Sequence, residues 1–379
     1  MNSSYRIVFY VSGHGFGHTS RSIEVIHALL RARPDAQIVV KTSAPLRLFA
    51  RTLRGRCELV ELQCDAGMVQ IDSLNMDAEA SVRQAVEFQK GLPALVESEA
   101  AYLRGVQARA TVGDIPPLAV AAAHAAGIPS IVIGNFTWDW IYEDYGGDAA
   151  SELSAEIRRL YQDVTVALRL PMAGGFEGLA PKIKDIPFIA RRSERTRDEV
   201  RRALELPPRS AGTPLVLISF GGYGVAGLNT PALATLRNYT IATTDTPSPS
   251  AAPGEANAIQ AAPGLLAISE KQIYDGGLRY EDLVRAADVV ATKPGYGIIS
   301  EAIANDAALL YTSRGHFVEY DVLVKEMPRY VRAEFLEQKD LLRGNWEASL
   351  ENLLNQPEPP EKPAINGAEV AAEEILRQG

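Results

Sequence analysis

Ala287-Asp-Val-Val-Ala-Thr-Lys-Pro-Gly-Tyr-Gly-Ile-Ile-Ser-Glu-Ala-Ile303 reads as strand, glycine turn and helix in immediate succession. The apolar run Val289 to Ala291 suits a buried parallel strand, and Pro294 to Gly297 is a turn. Ile298, Ile299, Ala302 and Ile303 then recur at helical spacing, so a helix is predicted from near Gly297. This succession aims free backbone N–H groups at an anion, usually a phosphate. Lys293, Gly295, Tyr296 and Gly297 are therefore candidate ligand contacts. Glu301 falls about one turn inside the helix, too deep for a simple N-cap. It is placed to accept hydrogen bonds from a ribose diol, or else is a solvated helix residue. A second strand, Ala308 to Thr312, leads into Ser313-Arg-Gly-His-Phe-Val-Glu-Tyr-Asp321 at the same sheet edge. Ligands of open α/β sheets bind at such carboxyl ends.

Working outward, the same unit opens the chain. A strand over Tyr5 to Ser12 runs into Gly13-His-Gly-Phe-Gly-His-Thr-Ser-Arg21, followed by a helix with Ile23, Val25, Ile26, Leu29 and Leu30 on one face. The spacing is G-x-G-x-G, not G-x-G-x-x-G, and the next strand ends at Thr42-Ser43 with no acidic residue for an adenosine ribose. NAD is discounted on that ground. His18 falls at a helix N-terminus, where the dipole disfavours the imidazolium, so its neutral ring can accept a proton. His14 flanks the same loop, with Gly15 and Gly17 between the two. Arg21 pairs with an anionic ligand or covers the helix. Asp114 follows a short strand, Ala110 to Val112; it is a site carboxylate or the cap of the helix Leu118 to Ala126. Asn135-Phe-Thr-Trp-Asp-Trp-Ile-Tyr142 sets two tryptophans around Asp139, either a sugar-stacking wall or plain packing.

A chain of 379 residues, 46% hydrophobic, predicts two packed domains. Net charge of -9 argues against a general nucleic-acid binder. Cys57 and Cys64 form no CxxC, which suits a reducing cytoplasm. The N-terminus has no signal-peptide pattern, and no apolar run reaches the ~18 residues of a membrane span, which leaves peripheral membrane contact open. Ala80 to Gln107 reads as a helix broken near Gly91 and Pro93, and Arg191 to Leu206 as charged and helical. Leu215 to Phe220 opens a second sheet and ends in Gly221-Gly222-Tyr-Gly224, another phosphate cradle. Thr246 to Gly264, rich in Pro, Ala and Ser, reads as a mobile surface insertion. The expected domains are 1–190, joined by a last helix within 364–379, and 191–363.

Two Rossmann-like halves with glycine loops on facing edges suggest the GT-B architecture of glycosyltransferases. VSGHGFGHTSR (11–21), NFTWDWIYEDY (135–145), ISFGG (218–222) and KPGYGIISEA (293–302) resemble the glycosyltransferase-like N-terminal region of plant L-arabinokinases, in the same order. The kinase phosphate loop of those proteins does not occur before Gly379, so arabinokinase activity is not expected. A more distant resemblance is to the GT-B enzyme that adds GlcNAc to the lipid-linked peptidoglycan precursor. That family's G-x-x-x-x-S-E pattern falls on Gly295 to Glu301, the glutamate holding a uridine ribose. Its sugar-reading D-Q or Q-Q pair should fall near Glu319 and Tyr320, where this chain has no glutamine.

The resemblance implies an inverting transferase using a nucleotide sugar, UDP-linked by resemblance, as donor substrate with no further cofactor. It implies His18 as base, with Asp114 or Asp139 as alternatives or orienting partners. The glycine loops at Gly221–Gly222 and Gly295–Gly297 neutralise the diphosphate with Lys293 or Arg314, without metal, since no D-x-D motif occurs. His316, Glu319 and Asp321 hold the sugar, and the acceptor is unknown. A sugar-nucleotide epimerase and a non-catalytic sugar-nucleotide-binding module are the alternatives.

Overall fold

The computed structural model describes residues 5–221, 225, 227–245 and 265–379. Gly222, Gly224 and the insertion expected at Thr246 to Gly264 lie outside them. The chain begins β1 (Arg6–Val11), α1 (Phe16–Ala32), β2 (Gln37–Thr42), α2 (Leu46–Leu53) and β3 (Glu58–Glu61). A hairpin of β4 (Val69–Gln70) and β5 (Met76–Asp77) leads into α3 (Ala78–Gly105). Then come β6 (Ala110–Asp114), α4 (Pro117–Ala126), β7 (Ser130–Gly134), α5 (Trp138–Glu143), α6 (Asp148–Tyr161), β8 (Val166–Arg169) and β9 (Ile183–Asp185). After α7 (Arg197–Ala203) the pattern restarts: β10 (Leu215–Ser219), α8 (Thr230–Leu233), β11 (Thr240–Asp245), β12 (Leu265–Ser269), α9 (Glu270–Asp275) and α10 (Tyr280–Ala286). It continues with β13 (Val289–Thr292), α11 (Tyr296–Asn305), β14 (Ala308–Tyr311), α12 (Val318–Glu326) and β15 (Ala333–Phe335). Three helices close it: α13 (Gln338–Arg343), α14 (Glu347–Leu354) and α15 (Gly367–Gln378).

One sheet runs β3-β2-β1-β6-β7-β8-β9 and the other β12-β11-β10-β13-β14-β15, with every pairing parallel. Helices cover both faces, which is why the central strands are continuous apolar runs rather than alternating ones. In β1, Ile7, Phe9 and Val11 enter one core while Val8 and Tyr10 enter another. In each sheet the strand order reverses once, between β1 and β6 and between β10 and β13. A crevice at such a reversal is where open α/β sheets take ligands. The two sheets in these orders form the GT-B architecture.

Three local readings are corrected. The helix α1 starts at Phe16, so Gly17, His18 and Arg21 are helical; Gly15, at φ 74°, makes the turn into it. The helix α3 runs unbroken through Pro93, which is exposed, so the hydrogen bond it removes falls on the solvent side while Leu92, Ala100 and Leu103 keep a buried stripe. Of the charged stretch Arg191 to Leu206, only Arg197–Ala203 is α-helical, opened by a Thr196–Glu199 capping box.

The halves touch closely. A Cβ on Gly297 would lie 3.2 Å from the Gly17 Cα, so α1 and α11 meet at glycine. Leu74, at the tip of the β4–β5 hairpin, is buried in the second half's core with Val216, Ile218 and Phe220. Ser73 beside it donates to the Phe220 carbonyl at 2.8 Å. No helix among the described residues is long and apolar enough to cross a membrane.

Candidate functional site

The first crevice is built from the ends of β1 and β6. Asp114, the last residue of β6, is 2% exposed and receives His18, Arg21 and Ser22 from the first turns of α1. His18 Nδ1 lies 2.8 Å from Asp114 Oδ1; Arg21 Nε donates to Oδ2 at 2.9 Å and Ser22 Oγ at 3.1 Å. Burial works to raise the Asp114 carboxyl, but the Arg21 charge and the hydrogen bonds from Arg21 and His18 outweigh it and hold it at about 2. An ionised Asp114 takes the Nδ1 proton of His18 as its hydrogen bond, leaving Nε2 as the acceptor.

His14 sits beside it, its Nδ1 accepting from the Met68 N–H at 3.3 Å and its ring edge-on to Trp138. Burial, then the charges of His18, Arg314 and Lys293, push its imidazole well below the usual range. Of the two tryptophans, Trp138 resolves as packing: it is 1% exposed, stacks on Tyr142 at 5.6 Å and donates Nε1 to Asp65 at 2.9 Å. Asp139 is not brought to His18, because Arg158 of α6 holds it at 3.0 Å.

The second crevice lies at the ends of β10 and β13. Gly221, at φ 77°, turns the chain after β10, and Lys293-Pro294-Gly295 leads from β13 into α11. No side chain caps α11 and its first turn holds no acidic residue, so its N–H groups and partial positive charge face the crevice. Lys293 is half-buried and donates no hydrogen bond to a described residue; burial, then Arg314, push its ammonium down to about 7. Tyr296 is a support: its ring stacks on Phe188, its hydroxyl accepts from the Ile189 N–H, and the Arg21 guanidinium lies 5.3 Å from its ring centre.

Glu301 is not a solvated helix residue; it is 3% exposed. One of its carboxylate oxygens takes both Arg191 Nε, at 2.7 Å, and Nη2, at 2.6 Å. Burial raises its carboxyl against the pull of Arg191. Arg314 donates to the Pro294 carbonyl at 3.2 Å, covers Phe317 and lies 3.6 Å from Glu319. Glu319, in the first turn of α12, accepts from Asn135 Nδ2 at 2.8 Å. His316 is exposed and pairs across the crevice with Asp144 at 2.8 Å; Asp321 is exposed and joins neither cluster.

The structure thus gathers His14, His18, Arg21 and Asp114 on one side and Gly221, Lys293, Gly295, Gly297 and Arg314 on the other. Asp65, Asn135 and Arg191 were missed as site residues. Asn135 had a readable signal, since it directly follows a buried strand at the same sheet edge as Asp114. Among the described residues, no group of three His, Cys, Asp or Glu is set to hold a metal ion.

Comparison with known proteins agrees with this architecture. The chain is 30% identical over 382 residues to L-arabinokinase of Arabidopsis thaliana, an alignment covering 98% of this chain and 34% of that protein. The chain therefore spans about a third of the relative's length. No protein-family model matches. Among solved structures, a kitacinnamycin glycosyltransferase matches at TM-score 0.61 and 16% identity over 99% of both chains. MurG of Acinetobacter baumannii matches at 0.52 and 15%, again over 99% of both chains. A UDP-glucosyltransferase from Polygonum tinctorium matches at 0.58 and 14%, over 100% of this chain and 94% of that one. The fold is that of GT-B glycosyltransferases.

Proposed function

We propose that this chain transfers a sugar from a nucleotide-sugar donor, UDP-linked, to an acceptor hydroxyl, by an inverting displacement that needs no metal. The carrying observation is the pairing of two crevices: a His18–Asp114 dyad at one strand reversal, and the uncapped start of α11 with Lys293 and Arg314 at the other. The donor diphosphate lies against the turns at Gly221 and Gly295–Gly297, with Lys293 and Arg314 meeting its charge. The Glu301 oxygen not bonded to Arg191 takes the ribose. An acceptor hydroxyl gives its proton to His18 Nε2 as its oxygen attacks the anomeric carbon; the bond to the diphosphate breaks and the electron pair leaves with it.

The test is product analysis with labelled donors. Diphosphate nucleoside released with label on an acceptor supports the transferase; donor converted alone to an isomer shows an epimerase. Binding without turnover would favour the module reading, which the match to one third of a longer kinase keeps in view.

The charge of Lys293 gives a pH signature. Below about 7 it is an ammonium, and an arriving diphosphate stabilises that form. Donor affinity should therefore be highest near pH 6 and fall toward pH 8, by at most ~10-fold per unit. Lys293→Met should weaken binding at pH 6 and flatten the slope. Calorimetric titration of a nucleotide sugar, whose diphosphate does not itself titrate there, checks both.

A further inference from the structure

We infer that Asn135 is a positioning residue that couples the seat of the donor sugar to the setting of His18. The inference rests on the reading of His18 as the base and of Glu319 as a contact of the donor sugar. Asn135 follows β7 directly and is 1% exposed. Its side-chain carbonyl accepts from Arg21 Nη1 at 3.2 Å, and its Nδ2 donates to Glu319 Oε1 at 2.8 Å. Arg21 in turn grips Asp114, which holds His18. The chain His18–Asp114–Arg21–Asn135–Glu319 is buried throughout and crosses from one half of the molecule to the other. The amide offers both partners what they need, an acceptor and a donor in one fixed plane. Aspartate would still accept from Arg21 but would set a second carboxylate against Glu319; leucine would serve neither partner. Away from water each of these bonds is strong, and losing one is felt by the next. A sugar that engages Glu319 therefore acts on the arginine that orients Asp114, and opening the crevice breaks the link at the Asn135–Glu319 bond.

The test uses Asn135→Asp, Asn135→Leu and Glu319→Gln, the last keeping an oxygen to accept from Asn135. Donor Kd, kcat, KM and the imidazole nitrogen resonances of His18 are measured for each. Asn135→Asp should lower kcat ~100-fold at saturating donor, the scale of a small misplacement of a reacting group, whatever its carboxylate does to donor Kd through Glu319. Its His18 resonances should move in the free protein, and those of Glu319→Gln should stay. A kcat for Asn135→Asp within ~3-fold of the wild type would overturn the inference. So would a fall in kcat with unmoved His18 resonances. If Asn135→Leu does not fold, Glu319→Leu cuts the same link from the other side and must move the same resonances. If the wild type turns over no donor, the transferase reading fails separately, and the resonances of Asn135→Asp alone decide the link.

Discussion

Asp114→Asn is expected to keep donor binding and to lower turnover by roughly 10²–10⁴-fold, the range of a lost general base. The amide would remove the charge that holds Nδ1–H of His18 and present its own N–H to Nδ1 instead. Nε2 would then carry the proton and could not accept another. Arg21, 5% exposed, would also lose its counter-charge. His18→Ala should give a loss of the same order without touching the Arg21 pair. Because Asp114 is held at about 2, it stays ionised through the working range and contributes no limb to the pH–rate profile between about 4 and 9. Turnover measured beside donor titration separates these cases; wild-type turnover in His18→Ala would show that the base lies elsewhere.

Asp288→Ala is expected to cost about 3–5 kcal/mol of stability, the usual result of stranding a buried charge. Asp288 lies at the edge of the second sheet opposite the crevice, just before β13. It binds Arg197 at 2.6 Å, Arg201 at 2.6 Å and the Leu215 N–H at 2.8 Å, joining α7, β10 and β13. The Arg201 side chain is 1% exposed and, among the described residues, would keep only the carbonyls of Ala286 and Pro207. Urea unfolding would read the loss, while the folded fraction should turn over normally. A loss under ~1 kcal/mol would mean that water or a neighbour replaces the carboxylate.

What was legible in the sequence was local. Strand, glycine turn and helix are contiguous at Tyr5–Leu30 and at Ala287–Ile303, so period and turn chemistry reveal both crevices. The Asn135–Glu319 bond spans 184 residues, and the Arg191–Glu301 pair 110, and neither leaves a mark in spacing. The hairpin tip shows the same limit: nothing in the spacing around Leu74 marks its partner, yet its burial lies in the other half's core. Pro93 misleads because propensity knows nothing of which side of α3 faces water. Trp138 stayed ambiguous because aromatic residues suit a sugar or a core equally; the Asp65 carboxylate at its ring nitrogen and the stacked Tyr142 decide it.

The central claim is that the two strand reversals form one nucleotide-sugar site. Calorimetric titration of UDP, GDP, ADP and dTDP with their common sugars, repeated on Glu301→Ala, tests it most directly. The account predicts binding of one nucleotide class, UDP, lost in Glu301→Ala while the variant stays folded. No binding of any of them to the wild type, or undiminished binding in the variant, would contradict it.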